Sequence, residues 1–97
     1  MTSVNPHNRM KTVDKLLYFS EHAKEQLTFR GTNEEEITAA IRTSPWEAAE
    51  LGRRQCKKTF PYNKNWNNKK YATKQVKPIF TEENDTIVVI TVYVYFF

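Results

Sequence analysis

The sequence predicts one α+β domain, a two-helix hairpin packed on one face of a small antiparallel β-sheet in the order β-αα-βββ. Three observations predict it. Between Ser20 and Pro45, apolar residues recur at helical spacing behind capping residues. From Arg53 onward, β-branched and aromatic stretches alternate with polar turns. The chain of 97 residues, 39% hydrophobic and 13% aromatic, is enough for one core and too short for two domains.

Residues 1–14 are polar, carry Pro6 and lack periodicity, so they read as an irregular tail, and residues 15–97 as the domain. Lys15–Phe19 (KLLYF) is a short strand. Ser20 caps a helix that begins at Glu21 and runs to Arg30, with Gly31 supplying the left-handed position after it. Ala23 and Leu27 mark its core stripe, and His22, Gln26 and Arg30 form a polar stripe beside it. Asn33 with Glu36 matches a capping box for a second helix, whose apolar face is Ile37, Ala40 and Ile41. Thr43-Ser44-Pro45 ends it.

Trp46–Leu51 is either a helical turn or a connector. Arg53–Tyr62 reads as one strand, Asn63–Lys70 as an Asn/Lys loop holding Trp66, and Tyr71–Thr81 as a second strand with an edge or irregularity at Pro78. Glu82–Asp85 is a polar turn. Thr86–Phe97 is the last strand, apolar on both faces and so expected in the middle of the sheet. Strict alternation puts Thr91, Tyr93 and Tyr95 on one face with Ile87 and Val89, and Val88, Ile90, Val92, Val94 and Phe96 on the other.

Charge is distributed unevenly. The formal net charge is +4, yet Arg53–Phe80 holds nine basic residues and no acid, flanked on both sides by segments of net negative charge. Such a block is the footprint of a polyanion site. Phe60, Tyr62, Trp66 and Tyr71 are interleaved within it, and flat rings stack on unpaired bases at about 1–3 kcal/mol each. The expected partner is RNA in single-stranded or looped form, contacted by Arg53, Arg54, Lys57, Lys58, Trp66, Lys69, Lys70, Lys74 and Lys77.

Other classes are excluded at this stage. Two glycines leave no Gly-rich phosphate loop, and Cys56 with His7 and His22 is too small a set for a zinc site or an internal disulfide. No metal, small-molecule cofactor or membrane partner is expected. The start has no apolar signal region and the longest apolar run is too short for a helical span, so a cytoplasmic setting is expected.

His22 opens a helix directly after a strand, where a side chain able to exchange a proton near neutral pH is well placed for acid/base work. Arg30 shares its stripe. Thr91 and Tyr93 place hydroxyl groups on one face of the last strand.

Ser20–Arg30 (SEHAKEQLTFR), followed by Gly31 and an acidic second helix, resembles the opening motif of the bacterial domain of unknown function 4258 family. Lys77–Tyr93 (KPIFTEENDTIVVITVY) resembles its closing strand pair and T-V-Y signature. That family is related to BrnT- and RelE-like toxins of toxin–antitoxin systems. The resemblance implies a toxin-type α+β fold, metal-independent endoribonuclease activity and an acidic antitoxin as partner. It places the family's histidine on His22, its second arginine on Arg30, its C-terminal threonine on Thr91 and the following tyrosine on Tyr93. Gln26 departs from the pattern, standing where the family has arginine. Two other readings keep the basic block and discard catalysis, namely a basic RNA- or DNA-binding module and a subunit that docks an acidic partner.

Overall fold

The structure, a computed structural model, describes residues 15–97; the sequence-predicted tail at 1–14 lies outside them. Strand β1 (Leu16–Phe19) is followed by helices α1 (Glu21–Arg30) and α2 (Glu34–Thr43). Then come β2 (Glu47–Ala48), a 3₁₀ turn (Glu50–Gly52), β3 (Arg54–Gln55), β4 (Lys58–Trp66), β5 (Lys69–Glu82) and β6 (Thr86–Phe96). The fold is α+β, with two helices on a six-stranded sheet.

The helices begin and end where their caps dictate. Ser20 Oγ accepts from the Ala23 N–H at 3.0 Å, and Asn33 Oδ1 accepts from the Glu36 N–H at 2.8 Å. Gly31 closes α1 at φ 81°. Its missing side chain matters twice, because a Cβ there would also stand 2.9 Å from the Trp66 ring. The Glu36 carboxylate does not complete a capping box; it accepts from Thr32 Oγ1 at 2.8 Å and pairs with Lys74.

The sheet departs from the sequence reading in five places. It is mixed, in the order β1-β6-β5-β3-β2, with β4 also pairing β5. β1 runs parallel to β6, Leu16 facing Thr86 through Phe19 facing Val89, while the other pairs are antiparallel. The pairing joins the two ends of the domain, and no local pattern announces it. Trp46–Leu51 holds a short strand as well as the start of a helical turn: β2 occupies Glu47–Ala48, and Glu50 and Leu51 are the first two residues of the 3₁₀ turn.

Arg53–Tyr62 is two strands, not one. β3 and β4 keep the same register along β5, but the ladder lapses at Cys56 and Lys57, opposite Lys77 and Pro78. Proline has no N–H to give a ladder, which accounts for the gap. The Asn/Lys stretch is not a loop. β4 runs on to Trp66, and Asn67-Asn68, both at positive φ (52° and 68°), make the two-residue turn into β5. Asparagine tolerates that conformation, so the turn needs no glycine.

The largest departure is in β6. Ile79 faces Thr91 but Phe80 faces Val89, so Ile90 is an extra residue, a β-bulge. A bulge shifts the inward face by one position. Ile87 and Val89 before it and Val92 after it are therefore all fully buried. Thr91, Tyr93 and Tyr95 point to the opposite, open face, away from Ile87 and Val89 rather than with them.

The core lies between the helices and the inward face of the sheet. Ala23, Leu27, Ile37, Ala40 and Ile41 from the helices meet Phe19, Val76, Phe80, Ile87, Val89 and Val92. Trp46 sets its ring edge against Phe80 at 4.9 Å and donates its indole N–H to the Ile41 carbonyl at 2.8 Å.

Candidate functional site

β1 covers the edge of β6 only from Thr86 to Val89. Beyond that point α1 takes over the edge. The Ser20 N–H donates to the Val89 carbonyl at 3.0 Å, and Ser20 Oγ lies 3.2 Å from the Ile90 carbonyl. One serine thus caps the helix and satisfies the carbonyl that the bulge leaves without a ladder partner.

The consequence is a fixed alignment of α1 with the second half of β6. His22 Nε2 stands 3.3 Å from Thr91 Oγ1, although 69 positions separate the two residues. Two turns along the helix, the Arg30 guanidinium lies over the Tyr93 ring at 5.2 Å. Between them, the Gln26 amide oxygen accepts from Arg30 Nε. The Lys77 ammonium reaches the same Tyr93 ring at 6.0 Å. His22, Arg30, Thr91 and Tyr93 therefore stand together along the free half of β6. His22 and Arg30 are exposed and Tyr93 is 39% exposed, so solvent reaches all three.

The open face beside them forms a groove of about 630 Å³. Thr91, Tyr93 and Tyr95 of β6 make one wall, Lys77 and Ile79 of β5 the floor, and Ala48–Leu51 with Arg53 and Gln55 the other wall. Arg30 and Lys77 meet at Tyr93, and Arg53 adds a third cation across the floor. Among the described lining residues Glu50 alone is acidic.

The basic block is not a single surface. Lys69 and Lys70 open β5 beside the Asn67-Asn68 turn and are exposed, at the far tip of the β4–β5 hairpin. Lys58 lies over Phe60, Lys69 over Tyr71, and Arg54 over Trp46. Lys57 is exposed next to buried Cys56.

Two members of the set are committed elsewhere. Lys74 is 7% exposed; its ammonium donates to the Gly31 carbonyl at 3.0 Å and pairs with Glu36 at 2.8 Å, tying the sheet to the helix hairpin. Trp66 stacks on Phe96 at 4.9 Å, and Tyr62 and Tyr71 also pack against that ring. Three of the four interleaved aromatics are thus a structural cluster rather than free platforms. The rings that do face the open groove, Tyr93 and Tyr95, lie outside the basic block.

Cys56 is 1% exposed, and burial, with a smaller contribution from nearby Glu47, pushes its thiol from an ordinary 9.0 up to about 12. At pH 8 the folded protein should leave an aromatic disulfide reagent unreacted, while denaturant should release one thiol at once; rapid reaction of the native protein would contradict the burial. The raised value favours the folded state below pH 9, and that contribution should fade as pH rises from about 9 towards 12.

Among the described residues no group of three His, Cys, Asp or Glu side chains is placed to hold a metal ion. Among them, too, no helix is long and apolar enough to cross a membrane. No family model, curated protein or solved structure matches the chain. The functional reading therefore rests on the site itself.

Proposed function

We propose that the protein is a metal-independent endoribonuclease of the RelE/BrnT-like toxin type, held inactive by an acidic antitoxin. The observation that carries the reading is the approach of His22 to Thr91 beside Arg30, Tyr93 and Lys77 on a cationic open groove.

The chemistry follows from these side chains. The RNA 2′-oxygen attacks the adjacent phosphorus, a new O–P bond forms, and the bond to the 5′-oxygen breaks. The products are a 2′,3′-cyclic phosphate and a 5′-hydroxyl. One proton leaves the 2′-oxygen and one reaches the 5′-oxygen. His22 is the site side chain able to carry out either transfer. Arg30 and Lys77 offset charge building on the phosphorane, each well-placed donor contributing about 10²–10³-fold by analogy with an oxyanion hole. Thr91, beside His22, orients the scissile phosphate, and Tyr93 positions the two cations.

Gln26 favours a second reading, a basic RNA-binding module without cleavage. It brings no fixed charge, and its amide occupies Arg30 Nε.

Labelled single-stranded RNA incubated with the full chain in EDTA separates the readings. Fragments ending in a cyclic phosphate are expected. With about five phosphates neutralised, log K against log[salt] should slope near −3.5. Salt-sensitive binding without fragments would select the module, and the absence of both would leave only the subunit that docks an acidic protein.

A further inference from the structure

Three large rings stand in water along the second half of β6. Tyr93 is 39% exposed, Tyr95 46% and Phe97 60%. Single apolar side chains on a surface need no explanation, but a continuous row of rings marks a binding face. The register spaces them evenly. Thr91 faces Ile79, Tyr93 faces Lys77 and Tyr95 faces Gln75 across the β5 ladder. Phe97 continues the series, exchanging both backbone hydrogen bonds with Thr73 at 2.8 and 3.0 Å. The row therefore starts at Thr91, beside His22, and steps along the open face by about 7 Å from one side chain to the next.

The row changes character along its length. Tyr93 is approached by two cations, Arg30 at 5.2 Å and Lys77 at 6.0 Å, and exposed Lys57 stands opposite Lys77 across the lapse in the ladder. Beside Tyr95 and Phe97 the neighbours are uncharged, Gln75 and Thr73, followed by Thr59 and Pro61 on β4. No acid stands among these residues.

We infer that Tyr95 and Phe97 are stacking platforms for two successive unpaired bases of a single RNA strand, which runs along β6 from the cations at Tyr93. Charge selects the occupant: the cations at the head of the row attract phosphate and no carboxylate repels it. Geometry agrees, because one extended sugar–phosphate unit spans a step of about 7 Å between rings. Bases within a duplex are already stacked and cannot use such rings, so the substrate is single-stranded. The inference deepens the ribonuclease reading and rests on it only for the scissile phosphate beside His22.

The test titrates the full chain with a 2′-O-methyl uridine tetranucleotide, which lacks the attacking hydroxyl and so reports binding alone. Its control is an abasic chain with the same number of phosphates. The tetranucleotide should bind at least about 25-fold more tightly than the abasic chain, each of two stacks corresponding to about 5–150-fold. Tyr95→Ala and Phe97→Ala should each lose at least about fivefold for the tetranucleotide and leave the abasic chain unchanged. Tyr95→Phe keeps the ring and should keep the affinity. Both side chains point to solvent, so all three variants should melt as the wild type does. Equal binding of the two chains, or alanine variants that bind the tetranucleotide normally, would overturn the platforms and leave the rings as a surface for the acidic protein partner. Ring-dependent binding without cleavage of ordinary RNA would uphold the platforms and sink the ribonuclease; cleavage without ring dependence would do the reverse.

Discussion

Replacing His22 with alanine is expected to lower RNA cleavage by about 10²–10⁴-fold, the range for loss of a positioned acid or base. Folding should not be affected. His22 is exposed and packs nothing in the core, and surface changes of that kind stay within about 0.5 kcal/mol. RNA affinity should also hold, because Arg30, Lys77 and Arg53 remain. The measurement is single-turnover cleavage in EDTA beside thermal melts of both proteins. Equal cleavage by wild type and His22→Ala, with equal melts, would remove His22 from the mechanism. Thr91→Val is a useful companion: it deletes the hydroxyl 3.3 Å from Nε2 while keeping the shape and β-propensity of the strand.

Replacing Lys74 with alanine is expected to cost stability rather than RNA binding. The ammonium is buried and satisfies two groups at once, the Glu36 carboxylate and the Gly31 carbonyl. Breaking a fully buried pair costs about 3–5 kcal/mol; with the Glu36 side chain about a fifth exposed, about 2–3 kcal/mol is expected here. At roughly 4–8 °C per kcal/mol for a domain of this size, Tm should fall by about 10–20 °C. Lys77→Ala should show the opposite pattern, with Tm nearly unchanged and the salt slope of RNA binding reduced by about 0.7. A Lys74→Ala protein that melts normally and binds RNA weakly would reverse the assignment.

These two lysines show why charge in a sequence does not locate a surface. Both fall in the same acid-free block three residues apart. In β5 that spacing puts them on opposite faces, Lys74 towards the helices and Lys77 on the open side. The block was legible as a polyanion signal. Its division among groove, hairpin tip and buried pair depends on pairing between distant strands. The same holds for the aromatics, since Trp66 is withdrawn by Phe96, thirty positions away.

Local chemistry was legible wherever it is settled within a few residues. The caps at Ser20 and Asn33, the left-handed Gly31, the polar stripe of His22, Gln26 and Arg30, and the turn before Thr86 all depend on neighbours four or fewer positions apart. The two-residue turn at Asn67-Asn68 was missed because, without a glycine, it looks like part of a polar loop. The lapse opposite Pro78 had its signal in the proline, but its partner strand did not.

By itself the sequence determined an α+β domain, both helices to their ends, the candidate residues His22, Arg30, Thr91 and Tyr93, and a strong positive block. Only the tertiary structure decided that His22 meets Thr91 and Arg30 meets Tyr93. A strictly alternating β6 would keep Thr91 and Tyr93 on the same face as Ile87 and Val89, which are buried. The single extra residue at Ile90 shifts them to the open face, and Ser20 fastens that bulge to the first turn of α1, bringing His22 beside Thr91. A bulge is a property of two strands and their partners, and nothing in the run TIVVITVYVYF marks which residue will be left over.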